Sequence, residues 1–102
     1  MLTYNLDIEK GSLWLRTTPT EFALKQPYYC TEAGIFYARE NFNTMRDYKD
    51  CYLLFYTLDG CGIIEQNEQK VFLPPHHALF MNCRSPQSYY TDPDTGKWTH
   101  YW

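Results

Sequence analysis

Short runs of β-branched and aromatic residues, each closed by Gly, Pro, Asn or Asp, recur along the chain, and no stretch sustains a helical period. This rhythm predicts strands at SLWLRT (12–17), GIFYAR (34–39), CYLLFYTL (51–58), GIIEQ (62–66), QKVFL (69–73), ALFMN (78–82), QSYYT (87–91) and KWTHYW (97–102). Turns fall between them at LDG (58–60), QNEQ (66–69), PPHH (74–77), CRSP (83–86) and DPDTG (92–96). Strands this short and this evenly spaced predict an all-β sandwich or barrel. NFNTMRDY (41–48), a weak helix pattern, is assigned to a loop.

Alternation along a strand then sorts the side chains by face. Ile35, Tyr37 and Arg39 share one face, with Phe36 and Ala38 opposite. In 51–58 both faces are apolar, which predicts a central strand covered on both sides. Trp98, His100 and Trp102 line up together, as do Gln87, Tyr89 and Thr91.

At 102 residues the chain is long enough for one domain and a single core. A net charge of -3 with nine thinly spread basic residues gives no electrostatic footprint for nucleic acid or an anionic membrane. No apolar run reaches the roughly 20 residues that span a bilayer, and MLTYNLDIEK has neither the basic head nor the apolar stretch of a signal peptide. A cytoplasmic protein is therefore expected, with Cys30, Cys51, Cys61 and Cys83 as reduced, mostly buried thiols. None of these is spaced C-x-x-C. Ten Tyr, six Phe and three Trp raise the apolar fraction to 44% while the mean hydropathy stays at -0.56. Flat faces with hydroxyl and indole handles suit cross-strand packing and also the wall of a partly polar ligand site.

The adjacent histidines His76-His77 invite a metal reading, but neighbours in an extended chain point to opposite sides and do not readily chelate one ion. Pro74-Pro75 removes two ladder donors, as a turn at a sheet rim does. No G-x-S-x-G elbow is present, and Asp92-Pro93-Asp94 has the chemistry of a turn, so no catalytic residue, metal or cofactor is assigned and an enzyme is not expected.

From about Ala33 onward, DYKDCYLLFYTLDGCGIIEQNEQKVFLPPHHALFMNCRSPQSYYTDPDTGKWTHYW resembles the N-terminal ligand-sensing domain of AraC-family transcription regulators. The shared order is an aromatic-rich strand, G-x-G, a polar hairpin, a Pro-led turn, an apolar strand, a segment ending on tyrosine and a closing W-x-x-x-W. Pro74-Pro75-His76 stands where that family usually has Pro-Gly-Asp, Gln87 stands where many members have His, and the His-x-His and acid motif of metal-binding cupins is missing.

The resemblance implies a cupin-like double-stranded β-helix, a jelly-roll barrel, spanning 31–102 and truncated at its C-terminal end, with 1–30 as an N-terminal arm and first strand. It implies an effector, a sugar or similar polyol, held inside the barrel by Arg39, Tyr89, His100 and Trp102, with Tyr37 beside Arg39. DNA would be bound only through a C-terminal helix-turn-helix domain that this chain does not contain, and a homodimer is a possible partner state. A chain ending within strand 97–102 is expected to leave an open sheet edge. Two other classes compete: a small metal-dependent cupin isomerase or dioxygenase, and a carbohydrate-binding module using exposed Trp14 or Trp98.

Overall fold

The computed structural model describes residues 2–102, and almost all of its regular structure is β. The strands are β1 (Leu2–Asn5), β2 (Leu13–Arg16), β3 (Glu32–Ala38), β4 (Asn43–Arg46), β5 (Tyr52–Gly60), β6 (Gly62–Gln66), β7 (Gln69–Leu73), β8 (Ala78–Asn82), β9 (Gln87–Thr91) and β10 (Trp98–Tyr101). One helical turn, α1 (Glu21–Leu24), is capped by the Thr20 hydroxyl, which accepts the Ala23 N–H. All eight strands expected from the sequence are present, with ends shifted by at most two residues.

They form two five-stranded antiparallel sheets, ordered β1-β4-β9-β6-β7 and β2-β3-β10-β5-β8. The inward rows of both sheets enclose an aromatic core that includes Phe36, Phe42, Phe55, Tyr89 and Trp98. This is the jelly-roll arrangement, in which alternate residues of every strand turn inward.

Trp98, 0% exposed, is the keystone of that core. Its indole N–H donates to the Thr57 hydroxyl at 2.9 Å, and that hydroxyl donates to the Leu73 carbonyl at 2.9 Å. The ring also lies over the backbone of Gly62, so close that a Cβ there would sit 2.1 Å from an indole carbon. The position admits only glycine because a neighbouring ring occupies the space where a side chain would go.

Three expectations need correction. Residues 43–46 are a strand, β4, paired on one side with β1 and on the other with β9. Neither edge of the final strand is open: β10 lies inside its sheet, between β3 and β5. Nor is β5 covered on both faces, since Leu54 is 53% exposed and its cross-strand partner Phe80 is 57% exposed. Its second apolar face is an outer one, where Tyr52 stacks on Phe80 at 5.2 Å with Tyr28 against both.

Segment 1–30 supplies an edge strand to each sheet, β1 to one and β2 to the other. Of the cysteines, Cys61 and Cys83 are buried, Cys51 is half-buried and Cys30 is exposed, so the expectation of mostly buried thiols fails at Cys30.

Candidate functional site

The five residues singled out from the sequence divide between the outside and the inside of the barrel. On β3 the inward positions are Phe36 and Ala38, so Tyr37 (36% exposed) and the following Arg39 point outward. Arg39 closes a loop: its Nε and Nη2 bind Asp7 Oδ1 at 2.8 and 2.7 Å, and the Asn41 N–H donates to Asp7 Oδ2 at 3.0 Å. The Asn41 N–H and the Arg39 guanidinium hold the Asp7 carboxyl below its ordinary range. Tyr37 and Arg39 therefore do not share a site with the other three.

Tyr89, His100 and Trp102 do point inward. His100 is 1% exposed, stacked on Trp98 at 3.7 Å and ringed by Phe36, Phe42 and Phe55 at 5.6 to 5.9 Å. Its Nδ1 lies 3.0 Å from the Trp98 carbonyl, which can only accept, so Nδ1 carries the proton. Burial pushes its pKa down from 6.5 to about 4, against the opposing pull of that carbonyl, so the ring is neutral at pH 7. Trp102 packs edge-on against Phe36 at 5.0 Å and Trp14 at 5.6 Å, and its buried indole N–H has no partner. Burial also raises the Tyr89 phenol.

The polar centre of the interior is a residue the sequence reading passed over. Arg46 on β4 donates from Nη2 to the Tyr89 hydroxyl at 2.5 Å, with its guanidinium carbon 5.7 Å from the Tyr89 ring centre. Strand register sets Arg46 opposite Gln87 and Gln87 opposite Gln66, forming one row across the sheet. The next row inward is Thr44, Tyr89 and Ile64. Gln87 is 3% exposed, and its Nε2 donates to the Cys83 carbonyl at 3.1 Å. Its Oε1 and the Arg46 Nε are buried without partners. The row thus offers one open donor and one open acceptor beside an aromatic wall. Register also places Trp102 beyond His100 on the side away from Trp98, because Trp98 pairs with Ala38 whereas Trp102 exchanges backbone hydrogen bonds with Gly34.

His76 and His77 sit in the expected rim turn. The His76 N–H donates to the Thr57 carbonyl at 2.8 Å, and Asn67, Glu68 and His76 all have positive φ, as tight turns require. Among the described residues no group of three His, Cys, Asp or Glu side chains converges as metal ligands do. Two surface concavities, of about 300 and 390 Å³, are lined by other residues, around Arg16, Thr31 and Glu32 and around Asn41, Asn43 and Thr91. Among the described residues no helix is long and apolar enough to cross a membrane.

No family model and no curated protein matches the chain. Two solved structures do. A cupin superfamily protein from Desulfitobacterium hafniense DCB-2 superposes with a TM-score of 0.63 at 15% identity, over 91% of this chain and 75% of that one. A protein from Photorhabdus luminescens does so with a TM-score of 0.63 at 16% identity, over 99% of this chain and 77% of that one. At such identities the likeness is one of architecture, and it establishes the fold of this chain as a cupin-like jelly roll.

Proposed function

We propose that the chain is the effector-sensing domain of an AraC-type transcription regulator, binding a sugar or similar small polyol at the Arg46 end of the barrel. The observation that carries this reading is that three of the four buried side-chain polar atoms without partners among the described residues are Arg46 Nε, Gln87 Oε1 and Trp102 Nε1, the fourth being Thr91 Oγ1 at the other end of β9. Each such group costs on the order of 1–3 kcal/mol when left unpaired, a penalty that a ligand with matching hydroxyls removes. A sugar hydroxyl both donates and accepts, so it answers the Arg46 donor and the Gln87 acceptor together. Tyr89 adds an aromatic face and Trp102 an indole edge, as expected of a site that is mostly apolar with a few polar anchors.

Arg46 takes the anchoring role first assigned to Arg39, which is engaged with Asp7 outside the barrel. Chemistry is not part of the proposal: His100 is held neutral by burial and the Tyr89 phenol is raised, so neither exchanges protons readily near pH 7. No metal or cofactor is invoked. The route for a signal is short, since β4 carries Arg46 and Leu2 of β1 pairs directly opposite it. A ligand that draws Arg46 inward acts on the pairing of the N-terminal strand, and it works only through its different affinity for the two arrangements. In this reading the protein is cytoplasmic, self-associates, and contacts DNA through a domain outside this chain.

Calorimetric titration with a panel of monosaccharides and polyols tests the proposal. Binding is expected for at least one of them, weakened tenfold or more by Arg46→Ala and unchanged by Arg39→Ala. Absence of binding across the panel at millimolar ligand would refute it, and stoichiometric metal in the purified protein would favour a cupin enzyme instead.

A further inference from the structure

Four cysteines are present, and the fold brings two of them together. Tyr52 at the start of β5 pairs with Asn82 at the end of β8, and the next position outward sets Cys51 beside Cys83. The Cys83 N–H donates to the Cys51 carbonyl at 3.0 Å, and the Lys49 N–H donates to the Cys83 carbonyl at 2.9 Å. Directly opposed residues on antiparallel strands have Cα atoms about 4.5–5.5 Å apart, inside the range of roughly 4.4–6.8 Å that a disulfide bridges. The other two thiols are engaged elsewhere, Cys30 with the Glu32 carbonyl at 3.2 Å and Cys61 with the Gly62 carbonyl at 3.5 Å.

We propose that Cys51 and Cys83 form an oxidation site, a dithiol that hydrogen peroxide converts into a disulfide tying β5 to β8 beside Arg46. Access decides the order of events. Cys51 is half-buried and reachable, whereas Cys83 is 0% exposed. The Cys51 thiolate attacks one peroxide oxygen, the O–O bond breaks, and the departing hydroxide takes up a proton to leave as water. Cys51 is then a sulfenic acid. The Cys83 sulfur attacks the Cys51 sulfur, the S–O bond breaks, and the hydroxyl leaves as water with the Cys83 proton. Two thiols lose two electrons, and one peroxide becomes two waters.

Burial pushes the Cys83 thiol up to about 12, and the Cys51 thiol beside it adds to the shift. The Arg46 and Lys49 charges pull the other way. Full burial keeps Cys83 from meeting peroxide first, and it is its place beside Cys51 that makes it the thiol in reach of a sulfenic acid formed there. Oxidation would also reach the polar row, because the Cys83 carbonyl accepts from Gln87 Nε2. The proposal stands whether or not a sugar binds at that row.

The test is peptide mapping of the folded wild-type protein after mild peroxide treatment and alkylation. The expected result is a Cys51–Cys83 linked peptide, reversed by dithiothreitol, with Cys30 and Cys61 still alkylated. Cys83→Ser should leave Cys51 to proceed to sulfinic acid, and Cys51→Ser should leave Cys83 reduced. A linkage through Cys30 or Cys61, or four fully alkylated cysteines after the same treatment, would overturn it. Because the wild-type map is itself the readout, a variant that fails to fold leaves the conclusion testable.

Discussion

Acid should destabilise this protein well before its carboxylates titrate, and His100 should be the cause. In the folded chain its pKa is lowered to about 4 by burial, against an ordinary 6.5. Above pH 6.5 both the folded and unfolded states hold a neutral ring, and the stability associated with His100 is fully present. As pH falls below 6.5 the unfolded state takes up a proton that the folded state refuses, so stability declines until the folded ring protonates near pH 4. At about 1.4 kcal/mol for each tenfold difference in proton affinity, the loss across that window is about 3 kcal/mol. With a urea m-value of about 1.5 kcal/mol per molar, the unfolding midpoint should fall by about 2 M between pH 7 and pH 4. Asp7 and Asp59, both lowered in the folded state, surrender their contribution only below their ordinary 3.8, so they do not blur the window. The assay is urea unfolding followed by tryptophan fluorescence at half-unit pH steps, for wild type, His100→Phe and His100→Gln. Both variants should lack the slope between pH 6.5 and 4, whatever their absolute stability. A wild-type midpoint flat across that range, or a slope that survives in both variants, would refute the assignment.

Other changes have equally definite outcomes. Gly62→Ala puts a methyl group into the space of the Trp98 ring, which the Thr57 hydrogen bond holds in place, so it should cost about 3 kcal/mol in chemical denaturation. Thr57→Val leaves the Trp98 indole N–H unpaired in the core and removes the Thr57 hydrogen bond to the Leu73 carbonyl, and should cost about 2 kcal/mol, read from the same curves. Arg39→Ala should let the Asp7 carboxyl rise toward its ordinary value, followed by carboxyl NMR, while ligand titrations stay as in wild type.

The fold was legible because turn residues punctuate the chain and separate the expected strands from one another. Face assignment worked where aromatic residues decide it: Trp98, His100 and Trp102 share an inward row. It failed at Arg39 because alternation separates two faces without saying which is inside, and an arginine beside a tyrosine fits either. Arg46 was missed for a more specific reason. In β4 the inward residues are Thr44 and Arg46 while Met45 is 55% exposed, the reverse of the usual polar-out pattern. The one available signal was the spacing of Phe42, Thr44 and Arg46 at intervals of two, which a reading keyed to hydrophobicity discards. Partner choice was illegible too, since Arg46 meets Tyr89 across 43 positions of sequence.

The last strand in chain order occupies the middle of its sheet, and this governs how the protein can be assembled. Two ribbons, β2 with β3 and β5 with β8, can form from residues already synthesised, but they join only through β10. Until Trp98 finds both Ala38 and Gly60, β3 and β5 each present an unpaired edge. Pairings this distant close slowly, so a nascent chain carries two sticky margins until β10 has been made and has reached both of them. Loss of that strand would therefore separate the sheet into halves rather than shorten it, and the demand on chaperones should be set by how soon β10 emerges.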